Sequence, residues 1–283
     1  MTSPHERAVR ADPLHLQVAR NIRNKIEAGE LRNGDVLPST RELAQEWGVS
    51  IFTITEAMKV LGDEGLVASK SRSKRIVTAP SPGRASTVRL SRPQLLLIGG
   101  YAGSGKTELG RIIARQTGWP ILDKDTLTRP ILEGALEILG LSPNDRESDR
   151  YLNLLRPLEY QCLMAAVREN VDCGSSVIAT APFIAEFRDP NWVDRTVAAF
   201  TDAGTNVTLV WVYCDPETMH TYLRHRGAAR DTAKLANWET YLKAIDVSLR
   251  PAAPHVVVDN SASSRPLQAQ AAELLQSLTS EPT

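Results

Sequence analysis

The sequence predicts a two-part chain: an α/β unit built on a parallel sheet, preceded by a small, mostly helical unit. Three observations predict it. Short apolar runs alternate with longer helical stretches beyond residue 94. The stretch 79–93 (APSPGRASTVRLSRP) holds three prolines and almost nothing to bury, so it reads as a linker. Charge is divided as well: residues 1–93 carry 15 Lys/Arg and 10 Asp/Glu of the chain's 33 and 33, leaving 18 and 23 for the rest. A basic front on an acidic body points to a front end that meets a polyanion. The expected boundaries are 12–79 for the front unit, 80–93 for the linker and 94–280 for the α/β unit.

In the front unit, Leu14, Val18, Ile22 and Ile26 recur at four-residue spacing, one face of a helix that Gly29 stops. Asn33-Gly34 marks a turn, and Ser39/Thr40 cap a short helix that Gly48 ends. Ser50 opens a third helix over SIFTITEAMKVLGDEG, and LVASKSRSKRIV reads as two short strands around a basic tip. In the α/β unit the apolar strands are expected at 94–99, 119–122, 175–180, 206–213 and 255–259. Helices are expected at 105–117, 126–139, 149–172, 190–203, 215–249 with a break, and 265–278. Continuous apolarity within the strands indicates parallel strands covered on both faces.

Composition bounds the remaining classes. The 283 residues are 42% hydrophobic and 23% charged, enough for a sizeable core. Cys162, Cys173 and Cys214 lie far apart without a CxxC pair or His cluster, which argues for a reducing compartment and against a structural metal. The polar N-terminus lacks a signal peptide's apolar core and no apolar run reaches spanning length, so a cytoplasmic protein without a membrane is expected.

Helix, short helix, third helix and β-wing is the order of a winged helix-turn-helix, whose third helix enters the DNA major groove. GELRNGDVLPSTRELAQEWGVS and EAMKVLGDEGLV carry a further resemblance: Pro13 to Val77 resembles the GntR family of transcriptional regulators. That resemblance implies a phosphate contact at Arg41, with Ser39, Thr40, Ser50, Thr53 and Lys74 as further DNA-binding candidates. The chain departs from the family at Ile51 and Thr55, where arginines are usual, and in a wing reading SKSRSKRI in place of glycines. Less guanine readout and more contact with thymine methyls is expected. Lys70, Arg72, Lys74, Arg75, Arg84, Arg89 and Arg92 face no acid between residues 65 and 93, a source of salt-dependent affinity. The alternative is a winged helix used for protein contacts, with its basic run solvated.

GYAGSGKT (100–107) fits GxxxxGK[ST] between an expected strand and helix. Gly100, Gly103, Ser104 and Gly105 would turn backbone N–H groups toward a phosphate, Lys106 would reach the β/γ-phosphates, and the Thr107 hydroxyl would bind Mg²⁺. Sixteen residues on, ILDKDTL places Asp123 and Asp125 at a strand's carboxyl end, where an acid can take a hydroxyl proton. The bland reading of this pair is a helix cap at Asp125 with Asp123 solvated. The layout over roughly 95–260 resembles small P-loop kinases such as zeta-toxin and chloramphenicol phosphotransferase. That resemblance implies ATP, Mg²⁺ and Asp125 as base; Asp123 or Asp125 would help Thr107 hold the metal through water, or the metal site is weak. It also implies a basic lid in YLRHRGAARDTAKLANW (222–238), with Arg224, Arg226 and Arg230 as candidates; a solvated helix face is the alternative. The expected third strand has Thr180 where many P-loop enzymes carry an acid. Asp149, Asn153, Arg156 and Tyr160 recur at helical spacing, consistent with a substrate pocket or with an ordinary exposed face.

The expected protein is a homodimeric regulator that binds an inverted-repeat operator in double-stranded DNA. Its C-terminal domain binds ATP and an unidentified small-molecule effector or substrate. A hydroxyl-acceptor kinase with an autoregulatory DNA-binding domain and an inactive nucleotide sensor are the alternatives.

Overall fold

The computed structural model describes residues 13–70, 74–78 and 91–279, apart from the side chains of residues 230, 233 and 279. The basic wing tip at 71–73 and the linker segment 79–90 lie outside the described residues.

The front unit consists of α1 (Leu14–Glu27), α2 (Thr40–Trp47), α3 (Ile51–Asp63) and the hairpin β1 (Val67–Ser69) and β2 (Arg75–Val77). The strands pair antiparallel, with Val67 opposite Val77, and Val36 adds a bridge to Ile76. This is a winged helix, with Val18, Ile22 and Ile26 packed against Leu43, Trp47, Ile54 and Leu61 in one core. Ser39 caps α2 in a reciprocal capping box with Glu42, and Ser50 caps α3 by accepting from Thr53 N–H.

The second unit runs β3 (Gln94–Gly99), α4 (Lys106–Thr117), β4 (Ile121–Asp123), α5 (Lys124–Ile138), a π-helical turn (Tyr151–Leu155) leading into α6 (Arg156–Asp172), and β5 (Val177–Thr180). It continues through α7 (Ile184–Arg188), α8 (Pro190–Thr201), β6 (Asn206–Tyr213), α9 (Pro216–Arg226) and a 3₁₀ turn (Ala229–Asp231). The last elements are α10 (Thr232–Ala236), α11 (Trp238–Ala244), β7 (His255–Asp259) and α12 (Leu267–Thr279). All five strands are parallel, in the order β4-β5-β3-β6-β7. Strand β3 is central and fully buried: Leu95 and Leu97 enter the core under α6 and α8, and Leu96 and Ile98 the core under α4 and α12. Chain direction diverges from β3 to both sides, so its carboxyl end opens a crevice where such sheets bind ligands.

The two units dock. Ala28, just past α1, joins the core that α4 and α12 make on one sheet face. Arg20 is buried at 3% exposure and donates to the carbonyls of Arg265 (2.9 Å), Ala262 and Asp259, and to Ser264 Oγ (2.7 Å). From α2, Trp47 stacks on His225 of α9 with ring centroids 3.8 Å apart. Among the described residues no helix is long and apolar enough to cross a membrane.

Candidate nucleotide-binding and phosphoryl-transfer site

Residues 100–105 link β3 to α4 in a loop that only glycine permits at two points. At Gly100 (φ 151°) a Cβ would lie 2.6 Å from the Val212 carbonyl oxygen. At Gly105 (φ 95°) it would strike the Asn260 amide 2.2 Å away, which donates to the Ser104 carbonyl at 3.0 Å. The loop is thereby clamped from the far side of the sheet. Lys106 Nζ donates to the Tyr101 carbonyl at 2.8 Å, across the mouth of the loop. Removal from water, and then the Arg226 charge, lower the Lys106 ammonium to about 8. A phosphate there would restore the charged form, so binding must take up a proton where the free lysine has lost one. Nucleotide affinity should therefore fall as pH rises through about 8. Calorimetry in buffers of different ionisation heat should show net proton uptake at pH 8.5, and Lys106→Met should abolish it.

Asp123 ends β4 and caps α5, accepting from Thr126 N–H at 2.9 Å. This corrects the expected alternative: the cap is Asp123, and Asp125 lies in the first turn of the helix. The same Asp123 carboxylate accepts from Thr107 Oγ1 (2.9 Å) and Thr180 Oγ1 (2.7 Å). The parallel register sets Asp123 beside Thr180, so the β4 acid reaches the place that the β5 threonine leaves without a carboxylate. Asp125 is held by Lys124 Nζ at 3.0 Å, itself buried against Glu159 at 2.6 Å. Thr128 and Tyr151 hydroxyls also donate to Glu159, so this buried acid keeps α5 and α6 in register.

Two clefts meet at these groups. One, about 340 Å³, runs from Lys106, Thr107 and Arg226 past Tyr222 and Asn260 to α1. The other, about 300 Å³, runs from Lys106 and Asp125 toward Tyr151, Arg156, Tyr160 and Tyr241. Lys106, Thr107, Asp123, Asp125 and Arg226 line both. Both volumes fall in the range of small-molecule sites. In the second cleft Arg156 lies over the Tyr160 ring (4.4 Å) and is fixed by Glu186 at 2.7 Å. Of the helically spaced set, Arg156 and Tyr160 reach the cleft, whereas Asp149 and Asn153 are exposed and do not line it. The π-helical turn replaces the expected regular start of this helix and places Tyr151 at the cleft.

The expected lid arginines have separate positions. Arg226 enters both clefts and is paired with the buried Asp231. Arg224 instead points toward Gly48 of the winged helix, a correction to its expected place over the phosphates. Arg230 belongs to the 3₁₀ turn, but its side chain lies outside the described residues. Helix α7 was not anticipated. Its entry residue Phe183 adopts a left-handed φ of 49°, a conformation that apolar periodicity does not announce.

The winged helix keeps its DNA-facing candidates open. Arg41, Ser50 and Lys74 are exposed, and Ser39, Thr40 and Thr53 are half-buried. Ser50 Oγ lies 2.8 Å from Thr53 Oγ1, and Thr40 Oγ1 accepts from Arg75 of the wing. Ile51 and Phe52 are exposed at the start of α3, Phe52 at 72%. Phe52, the second residue of the helix, was not among the expected candidates.

Residues 95–248, more than half the chain, match the family model described as AAA domain. The chain belongs to the AAA-domain family. Ahead of that AAA domain, residues 14–76 match bacterial regulatory proteins of the gntR family. The HTH-type transcriptional regulator GgaR of Escherichia coli K12 is 40% identical over 65 residues, 22% of this chain and 26% of GgaR. The mannosyl-D-glycerate transport/metabolism system repressor MngR of the same strain is 40% identical over 57 residues, 20% and 24% of the two chains. The chain thus spans about a quarter of the length of the curated relatives it matches, all of it in the winged helix. Among solved structures, the APS kinase CysC of Mycobacterium tuberculosis aligns at 21% identity over 67% of this chain and 99% of its own, with a TM-score of 0.43. The chain therefore carries an AAA domain behind a segment that matches the gntR-family regulators.

Proposed function

We propose that the AAA domain binds ATP with Mg²⁺, transfers or is poised to transfer its γ-phosphoryl group to a small hydroxyl compound, and reports its occupancy to a DNA-binding head. The observation that carries this reading is the meeting of two clefts at Lys106, Asp125 and Arg226. A nucleotide in the first cleft would end where an acceptor in the second begins. Lys106 and Arg226 there oppose the charge of the transferring group. The acceptor oxygen would form its bond to phosphorus as the β–γ bridging bond breaks, with the hydroxyl proton passing to an Asp125 carboxylate oxygen. Thr107 and Asp123 present hard oxygen donors 2.9 Å apart at the mouth of the phosphate loop, a set that fits Mg²⁺ completed by phosphate oxygens and water. The ion would neutralise phosphate charge there.

A second reading, primarily an enzyme, is favoured by the tyrosine- and arginine-lined acceptor cleft, which a pure nucleotide sensor would not need. ATP turnover with candidate hydroxyl compounds separates that enzyme from a pure nucleotide sensor.

At the other end, the open α3 face supports double-stranded DNA as partner. A two-headed assembly would read an inverted repeat with centres about one helical turn apart. Arg41→Ala should weaken all sequences together and reduce the salt dependence, because it removes a phosphate contact. Changes at Ser50 or Thr53 should alter preference among sequences, and Ile51 and Phe52 should favour thymine methyls. Selection on random duplexes followed by titration at several salt concentrations checks this. Binding that enriches no site and ignores salt would remove DNA from the reading.

A further inference from the structure

We propose that helix α1 of the winged helix completes the nucleotide site. The carboxamides of Asn21 and Asn24 would bind the nucleoside part of a nucleoside triphosphate, so that bound nucleotide bridges the two domains. The proposal rests on the nucleotide-binding reading above and adds a binding surface to it from outside the AAA domain.

The cleft that starts at the phosphate loop does not end within the AAA domain. Asn21, Asn24 and Lys25 of α1 line it together with Tyr222 and Asn260. With Lys106 and Thr107 at one end of the cleft, a triphosphate seated there leaves its ribose and base toward α1.

The polar atoms of that lining are unsatisfied in a specific way. Asn260 Nδ2 donates to the Ser104 carbonyl, and Arg20 Nε, which can only donate, points at Asn260 Oδ1 at 3.3 Å. Asn24 must then present its Nδ2 to the same oxygen, at 3.2 Å, which turns its own Oδ1 away. That Oδ1 is buried and accepts nothing, in a residue only 3% exposed. Asn21 Oδ1, Tyr222 Oη and His225 Nδ1, all on residues lining the cleft, are buried without partners too. Buried polar atoms left unpaired are costly, and native proteins contain few of them. Four around one cleft indicate a ligand bearing several hydrogen-bonding groups. Ribose hydroxyls and the polar edge of a base supply them, and inorganic phosphate does not. Asn21 Oδ1 and Asn24 Oδ1 can each accept from an adenine amino group or a ribose hydroxyl.

The lining is also mechanically joined to both ends of the site. Arg20 and Asn24 hold Asn260, which clamps the phosphate loop. Lys25 Nζ lies 3.0 Å from His225 Nε2, Gln17 accepts from Thr221, and Trp47 stacks on His225, one residue before the cleft-facing Arg226. The α3 reading face lies outside this contact.

The test compares ATP·Mg²⁺ with Mg²⁺-tripolyphosphate, which lacks the nucleoside, on the full-length chain by calorimetry. Asn21→Ala, which leaves the Asn24–Asn260 contact in place, should weaken ATP by about fivefold, the scale of one lost hydrogen bond, and leave tripolyphosphate unchanged. Lys106→Ala should weaken both probes. Hydrogen exchange on the unaltered protein gives a second readout: ATP should slow exchange in residues 14–27, and tripolyphosphate should not. Unchanged ATP affinity in Asn21→Ala, or α1 exchange unaffected by ATP, would overturn the proposal while leaving nucleotide binding intact. ATP affinity that survives Lys106→Ala would overturn the underlying reading and this inference with it.

Discussion

Asp125→Asn is expected to lower phosphoryl transfer to a hydroxyl acceptor by about 10²-fold or more, the general-base scale, with ATP affinity nearly unchanged. The carboxylate stands where the two clefts meet, and its neighbour Lys124 fixes it at 3.0 Å without belonging to the phosphate loop. An amide keeps the size and the contact but cannot accept the proton. Asp123→Asn should act differently. Asp123 accepts from Thr107, Thr180 and the Thr126 amide, so its loss should raise the Mg²⁺ requirement and loosen the start of α5. Steady-state rates at several Mg²⁺ concentrations distinguish the two variants. Equal rates for Asp125→Asn and the unaltered protein would move the proton acceptor elsewhere.

Arg20→Met should destabilise the docked chain by about 3 kcal/mol or more. The side chain is 3% exposed and its guanidinium donates to loop carbonyls, Asn260 and Ser264, bonds of charged type worth about 1.5–3 kcal/mol each. Methionine keeps the stem's packing and leaves those acceptors buried and unpaired. Because the network runs through Asn260 to Ser104, the phosphate loop should loosen as well, and ATP affinity should fall with stability. Denaturant titration followed by separate probes of Trp47 and Trp211 should change from one transition to two. A single transition at the original midpoint would mean that the interdomain network carries no weight.

That network is the part of the molecule least legible in the sequence. Periodicity exposed the apolar stripe Leu14, Val18, Ile22 and Ile26, which serves the winged helix's own core. The second buried face of α1, with Gln17, Arg20 and Asn24, is polar, and its partners lie more than two hundred residues away. Only tertiary contact makes an arginine and an asparagine there interior residues. By contrast, β3, β6 and β7 coincide with the apolar runs 94–99, 206–213 and 255–259; β3 is buried along its whole length, while the edge strand β7 is apolar enough to be read even with Val257 exposed. The phosphate loop was legible for a related reason: its glycines are demanded by backbone approach, whatever the surrounding fold. Asp123 and Asp125 were found as a pair, but which one caps the helix depended on where β4 stops. The lid arginines were legible as a cluster, but only the position of α9 between the two domains separates Arg226 from Arg224.

The central claim is that nucleotide and DNA binding are coupled through α1. The most direct measurement is the affinity of the full-length protein for its selected operator, at fixed salt, with and without ATP·Mg²⁺. A nucleotide that fixes the winged helix on the AAA domain lowers the ordering cost of DNA binding. ATP·Mg²⁺ should tighten operator binding by about fivefold or more, the lower range of allosteric coupling, and by reciprocity the operator should tighten ATP by the same factor. Lys106→Ala should show neither effect. Saturation with ATP that leaves operator affinity unchanged would contradict the account.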